Sequence, residues 1–262
     1  MSTQALTTAT TPHTTTPHTT IPTAGERIMR VVRLQLVDKK QLVLVPLLII
    51  VSGIIISIII GELIKLAGAS PEAVTEGMRN NQAALWILTG YFVSLGALMY
   101  AKSLPFAVAL GATRRDYWLG TTLTLVITSV ALAVLSTLLM FVERATNGWF
   151  TGARMYDTYI LGNGDALNTF LMAFVISGLS LLAGNFFAAI YLRWKSAGVT
   201  FSIIGIVAII LGLIALAVAA KIDVFGWMST DPYLKIAAIV AVIMVLMSAT
   251  TWVIVRNAPV GR

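Results

Sequence analysis

The chain has 262 residues, of which 58% are hydrophobic and 11% charged, and its mean hydropathy is +0.89. A soluble domain carries roughly a quarter charged residues, so too few polar groups remain here to cover a globular surface in water. The net charge of +7 comes without any cysteine, which excludes a disulfide framework and thiolate metal sites.

Residues 1–25 are Thr- and Pro-rich, with the pentapeptide Thr-Pro-His-Thr-Thr repeated in tandem. Such a segment has almost nothing apolar to bury, so disorder is expected. It lacks the basic start and apolar core of a secretory signal. His13 and His18 lie in this tail, on too slack a segment to make a good chelator.

Over 26–41 the pattern changes. Ile28, Met29, Val32 and Leu36 share one helical face, and Arg27, Arg30, Arg33 and Lys40 lie mostly elsewhere. This predicts an amphipathic helix in the headgroup layer. Six apolar runs follow, at 42–61, 83–101, 119–142, 167–192, 197–220 and 236–255, none holding Lys, Arg, Asp, Glu or His. A helix needs about 20 residues to cross about 30 Å of hydrocarbon, and lipid offers no partner to an unpaired amide. The expected fold is therefore an all-α integral membrane protein of six transmembrane helices over 42–255, with a short tail at 256–262.

Orientation follows from Lys and Arg. Twelve of the eighteen fall on the side holding the N-terminal segment, the 102–116 loop, the Arg193–Lys195 loop and the C-terminal tail. Eight of the eleven acidic residues fall on the other side. The basic side is expected to be cytoplasmic, with both termini there, in a cell membrane. The high pI then reflects topology and anionic lipid, not nucleic acid.

The loop between the second and third runs is a polar island. Pro105 suits the first turn of a short helix over 106–110, which displays Phe106, Val108 and Leu110. Gly111 suits a left-handed cap. Thr113, Arg114, Arg115 and Asp116 fit a capping box, with Thr113 as N-cap and Asp116 reaching back to its amide. Arg114 and Arg115 then occupy a first turn, where the helix dipole disfavours cations, so phosphate headgroups or a partner's acceptors are expected to offset them.

Two loops on the other side stand out. Residues 143–166 carry Trp149, Phe150, Tyr156 and Tyr159, expected among lipid headgroups. Residues 221–235 carry Trp227 and an Asp231-Pro232 turn. Within the fourth run, Ser180, Gly184 and Ala188 recur at four-residue spacing, a helix-packing signal that serves one chain or a dimer equally. Asn185, a carboxamide deep in that run, is expected to bond a neighbouring helix.

No catalytic constellation, metal set, cofactor motif, ion-coupling carboxylate or Gly-x-x-x-x-Gly-Lys-Ser/Thr phosphate loop is present in the sequence. An uphill transporter built on this chain would draw its energy from another subunit.

The stretch Pro105-Phe106-Ala107-Val108-Ala109-Leu110-Gly111-Ala112-Thr113-Arg114-Arg115-Asp116-Tyr117-Trp118-Leu119-Gly120 resembles a loop of the type-2 family of ABC transporter permeases of Gram-positive bacteria. A weaker echo is Phe187-Ala188-Ala189-Ile190-Tyr191-Leu192-Arg193-Trp194, after which relatives often continue with glycine and Lys195 stands here. The resemblance implies a six-span permease that pairs with a second permease copy and with a separate ABC ATPase. It implies that Phe106–Leu110 is the coupling segment docking on that ATPase, Gly111 its break, and Thr113–Asp116 the element fixing its angle. The expected function is export of a lipophilic or amphipathic compound, with ATP hydrolysis on the other subunit and no enzyme site in this chain. The competing reading is a membrane scaffold or sensor anchor without an ATPase.

Overall fold

A computed structural model of the chain describes residues 23–256. His13, His18, most of the Thr/Pro-rich tail and most of the C-terminal tail lie outside the described residues. Among those described, the chain is helical without strands: α1 Ala24–Leu36, α2 Val45–Leu66, α3 Pro71–Met78, α4 Ala83–Ala109, α5 Arg114–Ala145, α6 Ala166–Ala219, α7 Val224–Met228 and α8 Pro232–Arg256. Five stretches are long and apolar enough to cross a membrane: Lys40–Leu66, Pro71–Ala109, Arg114–Ala145, Ala166–Ala219 and Pro232–Arg256. By that measure this is a multi-pass membrane protein.

Helix α6 departs most from the expected spans. Its 54 residues absorb two apolar runs, and they divide at Lys195, whose φ 57° and ψ −154° are not helical. A single residue makes the break where a basic loop was expected.

Helix α1 starts at Thr23, which accepts from the Glu26 amide while the Glu26 carboxylate accepts from the Thr23 amide. That reciprocal pair is a capping box. Its buried face is Val31, Val32 and Gln35, whereas Met29 is exposed. The face grouped with Met29 in the sequence is thus rotated. The cause is packing: α1 lies across α5, and a Cβ on Gly120 would stand 2.7 Å from the Val31 Cβ.

The core is built from α4 and α6, with α2, α5 and α8 around them. Phe92, Leu95, Leu125, Met140, Met172, and Leu181 are buried in it. Two glycines set the α4–α6 distance. A side chain on Gly96 would collide with the Leu181 carbonyl oxygen, and one on Gly184 with the Val93 carbonyl oxygen. Ser180 is buried and Ala188 partly so on the same helix. Gly184 of this small-residue stripe therefore serves packing within the chain. Asn185 is buried, yet its Nδ2 has no partner among the described residues, so the expected interhelical bond is not formed.

Residues 146–165 fold as a plug, which takes Tyr156 out of the expected headgroup set and leaves Phe150 and Tyr159 exposed. Asn147, Trp149, Phe150 and Asn163 all take positive φ. Tyr156 and Met155 are buried against the core, and Phe150 and Tyr159 are exposed. The organiser is Glu143, fully buried at the end of α5. Its carboxylate accepts from Trp149 Nε1 at 3.0 Å and from the amides of Met155, Tyr156 and Asp157 at 3.0, 3.0 and 2.8 Å. Burial first, and the Glu143 charge second, push the Tyr156 phenol above its ordinary range, so it stays protonated at neutral pH.

Candidate docking face at the α4–α5 turn

One end of the bundle gathers α1, the end of α4, the start of α5, the middle of α6 and the end of α8. Val31, Tyr100, Leu104, Tyr117, Ile190 and Ile254 form a buried cluster there. Around it stand Arg27, Arg30, Arg33, Lys102, Arg114, Arg115 and Arg256, so segments far apart in sequence place their cations at a common end.

The turn itself is built by local chemistry. Helix α4 runs through Pro105 without interruption to Ala109, so the separate short helix expected over 106–110 is the last turns of α4. A proline inside a helix forfeits one backbone bond. Burial of Leu104 and Ala107 on either side of Pro105 holds the helical path. The helix ends in a Schellman motif: the Ala112 amide donates to Ala107 O and the Gly111 amide to Val108 O, both at 3.0 Å. Gly111 has φ 82°, which a side chain would strain. Thr113 then caps α5 by accepting from the Asp116 amide at 3.1 Å.

The remaining polar groups have partners that sequence spacing does not reveal. Asp116 does not reach back to the Thr113 amide. It is buried, and its Oδ2 accepts from Arg27 Nε at 2.7 Å, joining α1 to α5. Arg114 donates to the Arg256 carbonyl at 2.7 Å and to the Val255 carbonyl at 3.3 Å. These are the orphan acceptors at the negative end of α8. The chain's own helix terminus thus helps compensate Arg114 for its place in a first turn. Gln35 donates to Ser103 Oγ at 3.1 Å and to Thr121 Oγ1 at 2.8 Å, and Ser103 shares a hydrogen bond with the Tyr117 hydroxyl at 2.9 Å. A lone glutamine on the apolar face of α1 was the available signal for that network.

What is left exposed is specific. Phe106 is 55% and Leu110 67% exposed, and Pro105, Gly111, Thr113 and Arg115 are also at the surface. Val108 is partly buried against the cluster. Beside Leu110 and Gly111 lies a groove of about 440 Å³, floored by Val31, Leu34 and Ala107 and edged by Arg30 and Arg33. Apolar floor and cationic edge suit a partner presenting apolar side chains among acidic ones. Among the described residues, no three His, Cys, Asp or Glu side chains come together as a metal set.

No family model, curated protein or solved structure matches the chain.

Proposed function

We propose that this protein is the membrane subunit of an ATP-driven exporter and docks a separate ATPase on the α4–α5 turn. The carrying observation is that turn: exposed Phe106 and Leu110 stand on a capped bend tied to α1 by Arg27–Asp116 and to α8 by Arg114. A knob whose bend is tied to two further helices transmits a push from a soluble partner into the bundle, where a slack loop would absorb it.

In this reading the chain crosses the membrane six times. A straight helix of 54 residues would be about 80 Å long, far beyond the hydrocarbon core, and the Lys195 break supplies two crossings. The end rich in Lys and Arg then faces the cytoplasm, with both termini. Lys195 adds support for the permease resemblance. Its backbone takes a conformation that glycine favours, at the position where that resemblance implies glycine. The second half of α6 is apolar and exposed on all faces, from Phe201 to Val218. Lipid covers part of it, and a second permease copy is the natural partner for the rest. Crossings uninterrupted by charge suit a lipophilic or amphipathic cargo.

The test uses Phe106→Asp and Gly111→Val in the full chain. Both variants are expected to insert and fold, yet to lose the co-purifying ATPase or to leave its ATP hydrolysis uncoupled from transport. Variants that bind the ATPase and transport like the parent would refute docking at this turn. A parent chain that purifies from mild detergent with no ATPase would favour a scaffold instead.

A further inference from the structure

The end of the bundle opposite the α4–α5 turn carries a charged cluster that docking does not use. Arg79 at the end of α3, Arg144 in the last turn of α5 and Arg154 in the plug all line one open pocket of about 420 Å³. Thr75, Asn147 and Asp157 complete its wall, and Glu76 stands at the rim with its side chain 64% exposed.

The pocket is rich in donors and poor in acceptors. A guanidinium carries five N–H groups, so three bring about fifteen. Arg79 gives one to Asn163 Oδ1 at 2.8 Å, and lies 3.5 Å from Asp157 Oδ1 and 4.0 Å from Glu76 Oε2. Arg154 reaches Asp157 Oδ2 at 3.1 Å. Arg144 donates to the Gly164 carbonyl at 2.7 Å. The Nε atoms of Arg79 and Arg154 are buried without an acceptor among the described residues, against one buried acceptor, Asp157 Oδ1, without a donor.

Charge points the same way. Asp157 is shared between Arg79 and Arg154, and Glu76 takes the Tyr159 hydroxyl at the surface. No described carboxylate lies within ion-pair distance of Arg144. Gly164 keeps the approach between Arg144 and Asp157 clear: a Cβ there would stand 2.7 Å from Asp157 Oδ1 and 3.5 Å from the Arg144 guanidinium. Three planar forks, one surplus cation and the Asn147 amide make a cradle for an anion with several oxygens, while the Thr75 hydroxyl gives its proton to the Pro71 carbonyl at 3.0 Å.

We propose that this pocket binds a phosphate-class oxyanion, with Arg144 as its principal charge partner and Arg154 and Asn147 beside it. The oxyanion comes either free from solution or as the headgroup of an acidic lipid. This proposal stands apart from ATPase docking and survives its failure.

Two arms separate the sources. The full chain in phosphatidylcholine nanodiscs is titrated calorimetrically with inorganic phosphate. The same chain from phosphatidylglycerol-containing discs is delipidated, and retained lipid is counted by native mass spectrometry. Binding is expected in at least one arm: phosphate heat identifies a free anion, and one retained phosphatidylglycerol identifies a headgroup. Arg144→Gln leaves the Arg79–Asp157–Arg154 pairs in place and should weaken that binding by about tenfold or more, the loss of one charge-assisted hydrogen bond. Asn147→Asp adds a negative charge at a left-handed position that aspartate tolerates, and should abolish binding in a folded protein. A parent chain silent in both arms would overturn the proposal, and so would variants that bind as the parent does.

Discussion

Gly184→Val and Gly96→Val are each expected to cost the protein most of its folded yield. The two glycines face opposite backbones across the α4–α6 contact, and a Cβ on either would fall far inside van der Waals contact with a carbonyl oxygen. Backbone cannot rotate aside as a side chain can, so the helices must part. At Gly184 the Ala97 amide nitrogen would also lie only 2.9 Å from the added carbon. Parting these helices opens the cluster of Phe92, Leu95, Leu181 and Leu182 between them. Overpacking of a core costs about 1–3 kcal/mol and more where backbone must move, and each kcal/mol is worth about 2–4 °C in a chain of this size. A fall of about 10 °C in melting temperature in detergent is the expected reading, with loss of the monodisperse peak in size exclusion. Gly90→Ala is the control, because nothing lies within 4 Å of its Cβ position. It should leave stability unchanged or slightly raised. If Gly184→Val instead yields a stable monomer from a dimer, the stripe serves association between chains and the packing role assigned to it is wrong.

Glu143→Ala should release the plug over residues 146–165. The carboxylate is fully buried in the last turn of α5, where both burial and the helix dipole oppose a negative charge. It is tolerated because four N–H donors converge on it, three of them backbone amides. Removing the acceptor strands those amides, and each buried orphan costs about 1–3 kcal/mol unless the segment unfolds to reach water. Unfolding is the cheaper outcome for a plug whose path needs positive φ at Asn147, Trp149, Phe150 and Asn163. The expected result is rapid proteolysis within 146–165 and a destabilisation of about 3 kcal/mol or more. Glu143→Gln should do nearly as badly, since its amide group turns donors toward donors. Protease resistance and melting equal to the parent in both variants would contradict this role.

Legibility of the sequence follows the range of the forces involved. Apolar runs, the Gly111 ending and the Thr113 cap are readable because each depends on neighbours within a few residues. The partners of Asp116 and Arg114 are not, because they lie 89 and 142 positions away. By its spacing Asp116 fits half of a capping box, and in the fold a part-buried ion pair with Arg27 takes its carboxylate instead. Pro105 looked like a helix start, but burial on both sides of it carries α4 through. Among the aromatics of 143–166, Tyr156 reads as a headgroup marker like its neighbours, because nothing local reveals that Glu143 gathers the amides around it and draws it inward. At the candidate site the exposed residues Phe106 and Leu110 were legible. The groove edged by Arg30 and Arg33 was not, since it exists only once α1 lies across α5.

The most direct test of ATPase docking is a photo-crosslinking phenylalanine analogue at position 106, introduced into the full chain in its native membrane. After irradiation, the expected adduct joins this chain to a soluble subunit whose sequence carries a nucleotide-binding phosphate loop, and its yield changes when ATP is trapped on that subunit. Adducts to lipid or to the chain itself, with no ATP-binding subunit among them, would contradict the proposed role of the α4–α5 turn.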